Sequence, residues 1–264
     1  MVTKDNVIIH FQADVIDKHL ANVVIVHGIA EHLHRYDYLA KQLNQAGFNV
    51  FRYDLRGHGR TSGKRGYVKS LDVLLNDLHE IIKLVREKHS KRIFLLGHSL
   101  GGGIANIYAS TFGDIDGYIS SGAATQPVKQ LSIFKIIPYQ MLKGLNIDNN
   151  LAKNSLSTIS EVEKDYIEDP FVLKKYKLGY LGEVMIKGSK RLNKNINNIK
   201  MPVLFLHGKN DPIVSVEFSK NMYNNVLSND KELVIYEQSL HEIYNDVERD
   251  KVIDKTIEWL TRHA

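Results

Sequence analysis

Phe94-Leu95-Leu96-Gly97-His98-Ser99-Leu100-Gly101-Gly102-Gly103 decides the fold, because an apolar run ends there in a serine set among glycines. Ile93 to Leu96 suit a strand covered on both faces, and Leu100, Ile104, Ile107 and Tyr108 follow at helical spacing. Between them Gly97, Ser99 and Gly101 form G-x-S-x-G, the pattern of a sharp strand-to-helix turn that exposes a serine hydroxyl. Such a turn strains the backbone at the serine and draws neighbouring segments close, which favours residues without side chains beside it. The pentad also arises in ordinary glycine-rich turns, and its strand and helix context is what gives it weight.

On either side of this turn, strands alternate with helices. Asn6 to Phe11, Asn22 to His27 and Phe48 to Tyr53 read as strands, with an amphipathic helix through Leu39 and Leu43 ending at Gly47. Leu55 to Gly63 is a polar, glycine-rich loop, and Ser70 to His89 reads as one long helix with Ser70 as its N-cap. Beyond the serine, Gly117 to Ser121, Pro202 to His207 and Glu232 to Glu237 read as strands, and Ser215 to Leu227 and Asn245 to Arg262 as helices. This alternation predicts an α/β domain, a mostly parallel sheet with helices on both faces.

The pattern breaks between Thr125 and Lys200. That stretch is rich in Lys and Asn, with helical runs over Leu131 to Leu142 and Phe171 to Leu192. Because strand and helix alternate again afterwards, the expected organisation is a core of residues 1–124 and 201–264 with a helical cap inserted at 125–200. From Gln126 to Lys200 the sequence has 13 Lys and Arg against 7 Asp and Glu, so this segment carries +6 against a net charge of +5 for the whole chain, and the remainder is close to neutral. A basic region suits an anionic membrane surface or a solvated face, and no zinc-finger or aromatic RNA-binding signature points to nucleic acid.

The 264 residues are enough for one large domain with an insertion. No run approaches a membrane span, and Met1 to Asn6 lacks the apolar core of a signal peptide, so the expected location is the cytoplasm. The absence of cysteine excludes disulfides, thiolate metal sites and a cysteine nucleophile, which directs the search for a nucleophile to serine.

A serine hydroxyl needs a base to take its proton, and the base needs a third group to fix its tautomer and balance its charge. In an open parallel sheet, loops after later strands share the rim on which Ser99 sits. Asp211 follows the strand ending at His207, and His241 follows the strand ending at Glu237. The chain has 12 histidines, so one in a convenient place means little; three residue types in the order Ser, Asp, His, each after a strand, point to acyl transfer. The backbone N–H groups of Leu100 and Ile29 are the expected oxyanion donors, with Gly28 allowing the bend, and His27 is expected to buttress that loop.

Longer motifs add a resemblance. His27-Gly28-Ile29-Ala30-Glu31-His32 with Arg35-Tyr36, Asp54-Leu55-Arg56-Gly57-His58-Gly59 with Ser62-Gly63, Gly97-His98-Ser99-Leu100-Gly101-Gly102, His207-Gly208 with Asp211, and His241-Glu242 together resemble the monoacylglycerol lipase and lysophospholipase group of α/β-hydrolases. The resemblance spans nearly the whole chain. It implies an α/β-hydrolase fold with a helical cap and a serine hydrolase that releases fatty acid from a single-chain lipid ester without a cofactor. By similarity Ser99 is the nucleophile, Asp211 the acid, His241 the base, and Ile29 and Leu100 the oxyanion donors.

Ala30 stands where many members have glycine, the strands before Asn22 look short, and the cap is the least similar part. These departures bear on the substrate more than on the chemistry. Glu31 and Arg35 read either as a polar lining for glycerol hydroxyls or as a network that holds the oxyanion loop. Arg56 and His58 read as loop-fixing. Leu131, Ile133, Phe134, Ile136, Ile137, Tyr139, Met141 and Leu142 read as cap packing, as an acyl channel, or as a face that dips into lipid while lysines meet anionic head groups. Open alternatives are a lysophospholipase, a short-chain carboxylesterase or an acyltransferase, and, in another class, a hydrolase-like scaffold that only binds.

Overall fold

A computed structural model describes residues 1–129, 131 and 138–264. In chain order it forms β1 (Phe11–Asp14), β2 (Ala21–Val26), α1 (Asp37–Gln45), β3 (Phe48–Tyr53), α2 (Leu71–Lys88), β4 (Ile93–His98), α3 (Leu100–Thr111) and β5 (Gly117–Ser121). There follow β6 (Asn146–Asp148), α4 (Ser160–Glu168), β7 (Lys175–Lys177), α5 (Leu178–Leu181) and α6 (Ser189–Asn195). The chain closes with β8 (Val203–Gly208), α7 (Glu217–Asn225), β9 (Lys231–Tyr236) and α8 (Arg249–His263).

Seven strands make one sheet in the order β1-β3-β2-β4-β5-β8-β9, parallel except for the antiparallel edge pair β1 and β3. β2, β4 and β8 are buried along their whole length, as expected for strands covered on both faces. Their alternate side chains divide between two cores. Val24, Val26, Ile93 and Leu95 pack with the apolar faces of α2 and α3, and Val23, Ile25, Phe94 and Leu96 pack with those of α1 and α8.

The elements between β5 and β8 contain a second, two-stranded sheet of β6 and β7. A helical run through Phe171 to Leu192 is therefore only partly realised: β7 interrupts its start, and a π-helical turn over Gly182–Gly188 widens its middle. That turn carries Glu183, whose carboxylate accepts the Leu71 N–H (2.9 Å) and the Lys143 ammonium (2.8 Å). Ser70 holds the N-cap position of α2 but makes no capping bond with its side chain, so Glu183, distant in sequence, satisfies the helix end instead. Of the Leu131 to Leu142 run, Tyr139–Leu142 is a 3₁₀ turn and Leu131 is buried, whereas Ile133, Phe134, Ile136 and Ile137 lie outside the described residues.

The predicted strand over Asn6 to Phe11 is also corrected, since the ladder begins only at Phe11. Ile8 and His10 bond instead to the side chains of Ser62 (2.8 Å) and Thr61 (2.9 Å), so the polar loop after β3 takes their backbone groups.

At the end of β4 the backbone of Ser99 turns left-handed, with φ of 54°. Its N–H donates to Ser121 O (2.9 Å), and its carbonyl accepts from Gly103 N–H (3.0 Å) and Ala124 N–H (2.9 Å), so the strained residue is held from both sides. The turn also presses α3 onto β2. A Cβ added at Gly101 would lie 2.2 Å from Val26 O and 2.4 Å from His27 O. Ala30 is left-handed as well, with φ of 69°, which gives the physical reason a glycine is favoured there.

Two substitutions test this backbone. Gly101→Ala must push α3 off the sheet and should lower stability by about 2–3 kcal/mol in urea unfolding. Ala30→Gly relieves a left-handed alanine and should raise stability by roughly 0.5–1 kcal/mol, even though it removes a methyl group.

Candidate active site

Three loops from separate parts of the chain meet at the C-terminal rim of the sheet. His241 Nδ1 is 2.6 Å from Asp211 Oδ2, and His241 Nε2 is 2.8 Å from Ser99 Oγ. The carboxylate only accepts, so Nδ1 carries the proton and Nε2 is left to take the one from Ser99. The structure thus brings together the three residues expected from their order in the sequence.

Asp211 is buried and well supported. Its Oδ1 accepts the N–H groups of Ile213 (2.8 Å) and Val214 (2.9 Å), and its Oδ2 lies 3.2 Å from His207 Nε2 as well as against His241. Burial opposes its charge, but His241 and His207 outweigh it and hold the carboxyl well below the usual carboxylate range. For His241, burial lowers proton affinity, and the Asp211 carboxylate more than reverses it, so the imidazole sits above its ordinary value.

Two histidines that stand in the quoted motifs without an assigned role complete this neighbourhood. His207 spans Ser219 Oγ (2.7 Å) and Val214 O (2.9 Å), which fixes the turn that carries Asp211. Its place at the end of a strand, four residues before Asp211, was the available signal. His98 lies 3.1 Å from Ser121 Oγ with its ring 4.8 Å from that of His241. Burial, aided by His241, keeps His98 well below its ordinary value and so neutral.

On the other side of Ser99, the loop after β2 is locked from beneath. His27 Nε2 accepts the Leu55 N–H (2.9 Å), so Nδ1 holds the proton and donates to Gly28 O (2.7 Å). Burial pushes this imidazole down to about 4, consistent with a neutral buttress. Gly28 approaches Ser99 so closely that an added Cβ would lie 3.1 Å from Ser99 Cβ. Ile29 follows at the cavity wall, Leu100 opens α3, and among the described residues neither of their N–H groups has a protein acceptor.

Glu31 and Arg35 lie under the same loop. The Glu31 carboxylate accepts from Gly28 N–H and from Tyr36 Oη (2.8 Å), and it lies 3.7 Å from Arg35. Arg35 also pairs with Glu242, next to His241, and covers the ring of Tyr166 at 5.0 Å. Burial and the Glu242 carboxylate both push the Glu31 pKa up. Arg56 binds Asp5 and Asp77, and the buried His58 lies 3.0 Å from Arg56 O, so both are tied into the loop after β3.

The cavity against Ser99 has a volume of about 10 Å³, with Glu31, His98 and His241 on its polar side and Leu151, Leu156 and Tyr166 on its apolar side. Ser99 itself is 7% exposed. A larger open cleft of about 660 Å³ lies far from this site, between the first five residues and α2. The charged groups around that cleft pair among themselves, as Lys4 does with Glu80 and Arg56 with Asp77.

Comparison with known proteins agrees with this architecture. A sequence family described as "Serine aminopeptidase, S33" matches residues 17–248. The monoacylglycerol lipase of Mycolicibacterium smegmatis is 29% identical over 91% of this chain and 88% of its own length. The monoglyceride lipase of Saccharomyces cerevisiae is 30% identical over 92% of this chain and 85% of its own. Among solved structures, the monoacylglycerol lipase of Paleococcus ferrophilus is similar with a TM-score of 0.86 and 32% identity, over 97% of this chain and 99% of that one. The chain belongs to the serine aminopeptidase S33 family of α/β-hydrolases, in its monoacylglycerol lipase group.

Proposed function

We propose that this protein is a monoacylglycerol lipase, a serine hydrolase that splits a single-chain glycerol ester into fatty acid and glycerol. The observation that carries this reading is the unbroken hydrogen-bonded chain from Asp211 through His241 to Ser99. His241 Nε2 takes the Ser99 proton as Oγ attacks the ester carbonyl, and the Ile29 and Leu100 N–H groups receive the oxyanion. His241 then protonates the departing glycerol, and water releases the acyl group from Ser99 by the same route. Asp211 orients His241 and offsets its charge in both halves. Side chains and backbone of this chain are sufficient for these steps.

The substrate reading rests on what surrounds the serine. Residues 125–200 act as a cap, from which Leu151, Leu156 and Tyr166 give an apolar wall suited to an acyl chain. Glu31, with Arg35 behind it, offers acceptor and donor groups for glycerol hydroxyls near the reacting ester. No helix among the described residues is long and apolar enough to cross a membrane. The cap exposes Met141 (78%) and Leu145 (52%) on either side of Lys143, which favours transient contact with an anionic lipid surface. We assign the protein to the cytoplasm, with that contact as a peripheral membrane association.

Fatty-acid release from monoacylglycerols, lysophospholipids and short aryl esters tests the assignment. Preference for monoacylglycerols, lost in Ser99→Ala, is the expected result; turnover of short aryl esters alone would discard the lipid substrate, and lysophospholipid preference would move the assignment to the neighbouring activity. The pH profile gives a second test. His241 acts as a base only when neutral, and its raised pKa means that activity should fall, as pH decreases, through a midpoint above the 6.5 of an ordinary imidazole. A rate that stays flat down to about pH 5 would remove His241 from that role.

A further inference from the structure

The carboxylate of Asp246 is fully buried in the loop after His241, and the mechanism above makes no use of it. Its Oδ2 accepts the N–H of Leu240, the residue immediately before His241, at 2.7 Å. Its Oδ1 accepts from the other direction, from Thr158 N–H (2.9 Å), Thr158 Oγ1 and Ser157 Oγ (3.1 Å), and from its own neighbour Val247 N–H (2.8 Å). Immediately before Ser157, the chain crosses the site. Leu156 lines the Ser99 cavity, and its carbonyl accepts the Glu242 N–H at 2.7 Å.

The crossing segment is braced internally. Glu163, in the first turn of α4, accepts the N–H groups of Asn154 (2.7 Å), Ser155 (2.7 Å) and Leu156 (2.9 Å). Leu156 also packs with Tyr166 of the same helix. Residues 154–168 therefore hold together as one body that lies over the serine. The chain that follows it is fastened to the oxyanion loop, by Leu173 N–H to Ala30 O (2.8 Å) and His32 to Asp169 (2.8 Å). On the His241 side, the Asp246 carboxylate holds both the cover and the loop, beside the Leu156–Glu242 backbone bond and the contact of Ser157 Oγ with Asn245 O (3.0 Å).

The described cavity at Ser99, about 10 Å³, has room for roughly one water. A lipid ester reaching the serine from this side must part the cover from the 240–246 loop, and that breaks the bonds from Ser157 and Thr158 to Asp246. We propose that Asp246 is a positioning residue for the reaction: it latches the 154–168 body over Ser99 and, through the Leu240 N–H, sets the loop that holds His241. Closure of the cover and placement of the base are thereby tied to one buried group. The inference rests on the serine hydrolase reading given above.

Two variants separate the two sides of the latch. Ser157→Ala with Thr158→Val removes the cover-side hydroxyls and leaves the Leu240 bond intact. In this double variant, labelling of Ser99 by a long-chain alkyl fluorophosphonate should quicken about fivefold, the weight of roughly one net hydrogen bond. Its kcat on 4-nitrophenyl acetate, per serine that labels, should stay within about twofold of the parent. Asp246→Asn loosens both sides, and its kcat per labelled serine should fall at least about tenfold, since a displaced general base loses that much or more. Labelling of the double variant no faster than the parent overturns the latch, and an unchanged kcat in Asp246→Asn overturns its hold on His241. Failure of the parent itself to label at Ser99 would remove the underlying hydrolase reading, an outcome distinct from either.

Discussion

The left-handed backbone at Ser99 is the constraint on which the rest of this protein depends. A residue with a side chain at positive φ persists only if its surroundings over-determine it. Here three hydrogen bonds do so, from Ser99 to Ser121, Gly103 and Ala124, and they join the ends of β4 and β5 to the first turn of α3. The same turn brings α3 against β2 without room for a Cβ at Gly101, which places the loop after β2 beside the serine. Strain, close packing and the meeting of two loops are one arrangement.

Around this elbow the buried polar groups are fixed by partners whose own positions are fixed. His27 is held as the Nδ1–H tautomer by one backbone donor and one backbone acceptor. Asp211 receives two backbone N–H groups, so its remaining oxygen faces His241 without freedom to turn away. Low local polarity strengthens each of these contacts and would make an unpaired member costly, so the site is rigid where chemistry needs rigidity. Glu31, Glu242 and Arg35 have the opposite character: two carboxyl groups share one guanidinium beside Ser99, and burial with the Glu242 carboxylate pushes the Glu31 pKa up.

The stretch between β5 and β8 is tied to the rest through a few carboxylates. Glu183 closes the N-terminal end of α2, Glu163 braces the chain that crosses the site, and Asp246 reaches that chain from the histidine loop. Each accepts backbone N–H groups that no regular element satisfies, and Glu163 and Asp246 in this way hold the irregular chain that passes the serine at Leu156.

The sequence by itself determined the sheet, the elbow and the meeting of Ser99, Asp211 and His241. Those features are written locally: β-branched and apolar runs for strands covered on both faces, glycines where α3 must touch β2, and one Ser, Asp and His each at the end of a strand on a shared rim. Tertiary structure alone decided what depends on contacts across long separations. The first strand moved to Phe11 because Thr61 and Ser62 compete for the backbone before it. Ser70 gave up its capping role to Glu183, more than a hundred residues away. His98 and Asp246 gained their places because folding brings them to groups that no spacing in the sequence reveals. A pattern of residues specifies which faces are buried, whereas the partner of a given buried polar group is settled only when the elements pack.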